Sequence, residues 1–198
     1  MAAGVNVSPR PMLDPLFILP LISVLAIYIA RLIELGTKRD LIAGKIRENL
    51  TLRLFLLAGT IIFAGSIAEF IFRAPRLWWP AFIAGWVCGV ASFVIRRQAI
   101  AALGKFWSLH VEIRENHEFV QSGPFRWVRH PAYFSMILEL FALALICNAF
   151  FTLLLIPVFF VPVLIMRIRI EEVALVEKFG DAYRTFQRTK PALVPWKW

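Results

Sequence analysis

The chain has 198 residues, of which 60% are hydrophobic and 18% charged, and it carries a formal net charge of +9 and a mean hydropathy of +0.71. Soluble domains are about 45–50% apolar, so this excess argues against a soluble fold and for a chain covered by lipid. The basic residues form no long run and have no soluble module to sit on, which speaks against a nucleic-acid partner and for loop charges that orient membrane spans.

Residues 1–14 are short and mostly small or polar. The first apolar run, Leu16 to Leu35, carries Arg31 and Glu34 near its end and shows no small-x-small cleavage site, so it reads as a retained span rather than a signal peptide. The second runs from Leu52 to Phe72 and carries Glu69, four residues before Arg73 on one helical face, where an ion pair is expected. The third runs from Trp78 to Ile95 and opens with Trp78-Trp79-Pro80, the aromatic pair of an interfacial belt. The stretch from Tyr133 to Met166 is too long for one span and suits two short ones, with a tight turn near Asn148 and bends at Pro157 and Pro162. Its one charge, Glu139, has no partner nearby in sequence and stands as a candidate group behind the site. Cys88 and Cys147 are isolated in apolar runs and suggest neither a disulfide framework nor a metal site.

The fold expected is therefore an all-α integral membrane protein of about five transmembrane helices. Lys38, Arg39, Lys45, Arg47 and Arg53 lie in the first loop. Arg96, Arg97, Lys105, Arg114, Arg126 and Arg129 follow the third span, and Arg167, Arg169, Lys178, Arg184, Arg188, Lys190 and Lys197 follow the fifth. Five spans put all three groups on one side, which the positive-inside rule makes cytoplasmic, with the N-terminus outside. Residues 1–95 form an N-terminal membrane region and 96–198 a region with the polar segments, two-span hairpin and C-terminal helices.

Two segments of that side carry the candidate chemistry. In the first, Ser122-Gly123-Pro124 is a turn signal. Pro131 disfavours helix at His130 and suits the first turn of the next helix, so His130 is expected at the membrane surface where a helix begins. In the second, Arg167 and Glu171 share a helical face, Glu171 and Glu172 stand together at the membrane exit, Gly180 caps the helix, and Asp181 is expected to N-cap a short helix through Tyr183 and Phe186.

The pattern Gly-Pro-Phe-Arg-x-x-Arg-His-Pro-x-Tyr from Gly123 to Tyr133, followed by two spans and by Glu-Glu-x-x-Leu-x-x-x-Phe-Gly-x-x-Tyr from Glu171 to Tyr183, resembles the isoprenylcysteine carboxyl methyltransferase family. The wider superfamily includes phospholipid N-methyltransferases. The resemblance covers about half the chain, from Arg96 to Pro195. It implies an enzyme using S-adenosyl-L-methionine, held in a cytoplasmic pocket between these two segments. By position it implies cofactor contacts from His110, His117, Glu118, Phe119, Val120, Phe125, His130, Pro131, Ala132 and Tyr133, with Glu171 and Glu172 from the second segment. His110 falls where relatives often carry glutamine. Phe125 stands where tyrosine is usual, which loses a hydroxyl and keeps an aromatic face. Arg167 and Glu171 are the implied catalytic residues, Arg167 facing the acceptor.

The residues agree with that implication without a metal or a covalent nucleophile. Methyl transfer is an in-line displacement, so alignment of donor and acceptor carries much of the catalysis. A carboxylate acceptor needs a cation to steer it, a role for Arg167, while a phenol or amine needs a base, for which Glu171, His130 and His110 all remain candidates. The acceptor implied is a lipophilic molecule or lipidated chain drawn from the bilayer, a prenylated or long-chain lipid carboxylate or hydroxyl, in a bacterial inner membrane or in the endoplasmic reticulum of a eukaryote. A phospholipid N-methyltransferase or a nicotinamide-dependent sterol-type reductase would be the alternative. No inverted repeat suggests a transporter.

Overall fold

The computed structural model describes residues 14–37, 45–46, 49–73, 76–108, 112–113 and 119–194, with residues 35, 45, 46, 112 and 113 described by backbone alone. Among the described residues, seven α-helices run in the order α1 (Pro15–Gly36), α2 (Leu50–Arg73), α3 (Trp79–Leu103), α4 (Pro131–Ile146), α5 (Phe150–Leu155), α6 (Val161–Phe179) and α7 (Asp181–Thr189). A two-residue antiparallel ladder pairs β1 (Lys45–Ile46) with β2 (Glu112–Ile113). The protein is an all-α integral membrane protein. Four helical stretches are long and apolar enough to cross a membrane: Pro15–Glu34, Leu50–Arg73, Trp79–Phe106 and Phe150–Phe179.

The fifth apolar helix, α4, has only 16 residues, about 24 Å at 1.5 Å per residue, against a hydrocarbon core of about 30 Å. It tolerates this because it runs inside the bundle, with Leu140, Ala142, Leu143, Ala144 and Ile146 all buried. Its closest neighbour is α3. Gly85 makes that approach: a Cβ there would stand 2.7 Å from Ile146 Cγ1 and 2.9 Å from the Ile146 backbone nitrogen.

The expected hairpin turn is present. Asn148 takes a positive φ of 50°, which asparagine tolerates better than most residues, and its Nδ2 donates to the Arg76 carbonyl at 3.1 Å. The chain then continues as one bent helical stretch through α5, a π-helical turn at Ile156–Phe160 and α6. Pro157 lies in that turn, where its missing N–H is accommodated by the wider winding.

Charges inside the bundle account for two sequence expectations. Glu69 pairs with Arg73 at 2.8 Å as expected. It also accepts from the backbone N–H groups of Phe151 and Thr152 at 3.2 and 2.8 Å, and from the Thr152 hydroxyl at 2.9 Å. It therefore caps the start of α5 from another helix, satisfying donors that lipid could not. Glu139 has its partners on distant elements, Arg31 of α1 and Arg96 of α3, the latter at 2.9 Å. Arg31 also bonds Glu34 at 2.7 Å.

Two expectations are corrected. Arg96 was expected in the segment between the third and fourth spans, but α3 continues past Ile95 to Leu103 and buries Arg96 against Glu139. Asp181 does not N-cap α7: Gly180, at φ 57°, holds that position, and Asp181 is the first helical residue, paired with Arg184 at 2.9 Å.

Gly85→Ala should lower the unfolding midpoint of the detergent-solubilised protein, at a cost of about 1–3 kcal/mol for overpacking. A midpoint equal to wild type would mean that α3 and α4 do not approach as closely as described. Glu139→Ala leaves two guanidinium groups without their shared carboxylate and should cost about 3–5 kcal/mol, read as a larger fall in the same midpoint.

Candidate functional site

One cavity of about 390 Å³ reaches from the ends of α4, α6 and α7 into the space between α1, α2 and α4. Of the residues expected to hold a cofactor, Phe119, Val120, Phe125, His130, Pro131, Ala132, Tyr133 and Glu171 lie on its wall, and so does Arg167. Glu172 does not reach the wall and stands behind His130. His110, His117 and Glu118 lie outside the described residues.

The local chain explains this convergence. Gly123 takes a φ of 58° and opens a 3-10 turn, Gly123–Arg126, that buries Pro124 and Phe125. His130 then takes a non-helical backbone, φ −127° and ψ 63°, and Pro131 starts α4. The segment after α7 returns to pin this start: the backbone N–H groups of Arg129 and His130 donate to the carbonyls of Pro191 and Ala192 at 3.0 and 2.9 Å. Two donors at a helix entrance are thereby satisfied by a distant part of the chain.

At the centre is a hydrogen-bonded chain between α4 and α6. Arg167 Nε donates to Tyr133 Oη at 3.0 Å, and Tyr133 Oη donates to Glu171 Oε2 at 2.7 Å. Arg167 is 2% exposed and also reaches the Thr51 hydroxyl of α2 at 3.5 Å. The one-turn spacing of Arg167 and Glu171 lets a single phenol bridge a cation and an anion. Beside it, His130 Nε2 lies 3.0 Å from Glu172 Oε1 and His130 Nδ1 lies 3.9 Å from Glu171 Oε1. Glu172 is held further by Arg129 Nη1 at 2.6 Å and by Gln187 Nε2 at 3.1 Å.

An aromatic group closes the outer end. The Phe119 ring lies 4.9 Å from Phe186, 5.5 Å from Tyr183 and 5.6 Å from Phe179, two of them edge-on. Burial, then the nearby charges of Glu172 and Glu171, push the Tyr183 hydroxyl well above its usual value, so it stays a neutral O–H donor. Away from this end the wall turns apolar, with Phe55, Leu56, Gly59 and Phe63 of α2 facing Leu140 and Leu143 of α4. Arg31, Arg96 and Glu139 also reach the wall.

Sequence reasoning left Arg129, Tyr183 and Phe186 out of the site, although all three line the cavity. Arg129 adjoins His130, and Tyr183 closes the motif that begins at Glu171, so proximity to motif residues was the signal available.

The sequence model of the isoprenylcysteine carboxyl methyltransferase family matches residues 86–177. The chain is 33% identical over 119 residues to the uncharacterized protein YpbQ of Bacillus subtilis (strain 168), covering 59% of this chain and 69% of that one. It is 28% identical over 103 residues to the protein-S-isoprenylcysteine O-methyltransferase of Schizosaccharomyces pombe, covering 51% of this chain and 44% of the relative. An uncharacterized protein of Haemophilus influenzae is 37% identical over 82 residues, 40% of this chain and 47% of that one. In the last two comparisons the chain spans less than half of the relative's length. An integral membrane bundle with this matched region is a membrane methyltransferase in class. The chain belongs to the isoprenylcysteine carboxyl methyltransferase family.

Tyr133→Phe removes the phenol that links Arg167 to Glu171 and leaves both groups short of a partner. We expect a loss of about 1–3 kcal/mol, measured as a lowered thermal midpoint. An unchanged midpoint would show that the phenol does not tie α4 to α6.

Proposed function

We propose that the chain is an S-adenosylmethionine-dependent methyltransferase whose acceptor is a lipophilic molecule reaching the cavity from the bilayer, a carboxylate or hydroxyl of a prenylated or long-chain lipid. The observation that carries this reading is the two-natured wall of one cavity. One end offers aromatic faces and a carboxylate, and the other is an apolar slot between spanning helices.

The residues present suit the cofactor. Phe119, Phe125 and Phe186 supply faces for a purine and for a sulfonium, and Glu171 supplies a carboxylate for a cationic group. Bound there, S-adenosylmethionine supplies an electrophilic methyl group.

The chain's own part is binding and alignment. Arg167, fixed by Tyr133 and Thr51, orients an anionic acceptor head. Glu171 completes the cofactor end and, for a hydroxyl acceptor, stands within the cavity to take the proton. The slot lined by Phe55, Leu56, Gly59, Leu140 and Leu143 takes the apolar tail and excludes water from the reacting end. We place the polar end of the cavity in the cytoplasm, on the side of the basic segments, with the N-terminus across the membrane.

Calorimetric titration of the detergent-purified protein with S-adenosylhomocysteine, with a nicotinamide dinucleotide as control, tests the reading. Saturable binding of the first alone supports it, and binding of the dinucleotide alone would replace it with a reductase. Glu171→Gln should weaken S-adenosylhomocysteine binding about tenfold or more, as expected for loss of a charge-assisted contact. Arg167→Ala should retain that binding more fully while acceptor methylation falls, and equal loss of both would remove Arg167 from the acceptor side.

A further inference from the structure

Four glycines lie inside α2 and α3. Three of them have a packing reason. A Cβ would stand 3.3 Å from the Thr152 side chain at Gly65, 2.7 Å from Ile146 at Gly85 and 3.4 Å from Ile27 at Gly89. At Gly59 a Cβ would meet nothing within 4 Å. Glycine in a helix interior destabilises it relative to alanine, and no neighbouring helix requires the substitution here. Gly59 does lie on the cavity wall, so the side chain it lacks is room added to the cavity.

Its place on that wall is central. Leu52, Phe55, Leu56, Gly59, Thr60 and Phe63 of α2 all line the cavity, with the three- and four-residue spacing of one helical face. One end of this face meets the polar site. The Arg167 guanidinium lies 5.9 Å from the centre of the Phe55 ring and reaches the Thr51 hydroxyl. The other end is bounded by Phe63, whose ring stacks on Tyr28 of α1 at 4.8 Å. Gly59 stands eight residues beyond Thr51 and Phe63 twelve, which is about 12 and 18 Å at a rise of 1.5 Å per residue. A zigzag carbon chain advances about 1.3 Å per bond, somewhat less than the ~1.5 Å length of the bond itself. With its head at Arg167, a tail passes Gly59 at about ten carbons and meets the Phe63–Tyr28 stack at about fourteen.

We infer that Gly59 sets the length of tail the cavity admits: a single-chain acceptor with an anionic head at Arg167 lays its tail over Gly59 and ends at the Phe63–Tyr28 stack. The inference rests on the acceptor reading above and adds to it the residue that selects among acceptors by tail length. Gly59 lies outside residues 86–177, the region that the family model matches, so this selection belongs to the chain's own N-terminal half.

The test is photo-crosslinking of the full-length detergent-purified protein with two alkanoates that carry a diazirine at the tail end, one of about six carbons and one of about fourteen. Labelling is competed with the unmodified acid, and the labelled peptides are mapped by mass spectrometry. In wild type the long probe should label Phe63, Tyr28 or their neighbours. Gly59→Leu should weaken competable labelling by the long probe about tenfold or more, since several methylenes lose their burial. The same variant should keep labelling by the short probe and its titration with S-adenosylhomocysteine. Gly59→Ala adds one methyl group, should unfold at the wild-type midpoint or above it, and should lose roughly twofold for the long probe alone. It decides the question by the same comparison if Gly59→Leu does not fold. Equal labelling of variant and wild type by the long probe would overturn the inference. So would equal loss of both probes, or the absence of competable cavity labelling in wild type. Failure of wild type to bind S-adenosylhomocysteine would overturn the cofactor reading and leave the labelling result to stand by itself.

Discussion

A phenol between a guanidinium and a carboxylate is the contact on which the rest of the site depends. Arg167 and Glu171 stand one turn apart on α6, where the helix leaves the apolar part of the bundle, and Tyr133 stands in the first turn of α4. The hydroxyl accepts from one and donates to the other, so two ionised groups of opposite sign hold fixed positions across a helix interface. A buried charge is costly unless paired and hydrogen-bonded. That cost makes the arrangement stiff, because any displacement of α4 against α6 exposes it. The cavity wall inherits this stiffness, which is what alignment of two reactants requires.

The same rule governs the charges deeper in the bundle. A charge at membrane depth costs about 3 kcal/mol or more, and each deep charge here has found a partner on another helix. Glu139 gathers Arg31 and Arg96, drawing α1 and α3 onto α4. Glu69 spends its carboxylate on the exposed N–H groups at the start of α5. These contacts stand in for the hydrophobic effect, which does little between helices already surrounded by lipid. Close backbone approach does the remainder, as at Gly85 beside Ile146.

These constraints leave a cavity with two characters. Its polar end is assembled from segments far apart in the chain: the turn before α4, the exit of α6, α7 and the returning segment at Pro191 and Ala192. Its apolar end is the gap left between α1, α2 and α4. A site of this kind suits a reaction between a polar cofactor and an acceptor that dissolves in the bilayer. Family membership, carried mainly by α3 to α6, accords with that chemistry.

Much of this was legible in the amino-acid order because bilayers impose simple rules. Run length, Trp78-Trp79 at an entrance, Pro131 after His130 and Gly180 after Phe179 marked spans and boundaries through local backbone and transfer energetics alone. The motif from Gly123 to Tyr133 and the pair Glu171-Glu172 marked the site. Partnership could not be read in the same way. Arg96 resembled a loop charge, since local composition cannot reveal a carboxylate 43 positions further on. Glu172 matched its neighbour Glu171 in sequence, yet helix rotation turned it behind His130. Arg129 and Tyr183 belonged to the two motifs, but only packing buried them and left Arg129 Nε and Tyr183 Oη without a hydrogen-bond partner. By itself the sequence determined a multi-span helical chain and the place of its polar segments, because these follow from each residue's own preference for lipid, water or turn. Only the tertiary structure decided which charges meet and which donors are left unmet, because those depend on distances between helices that the chain order does not contain.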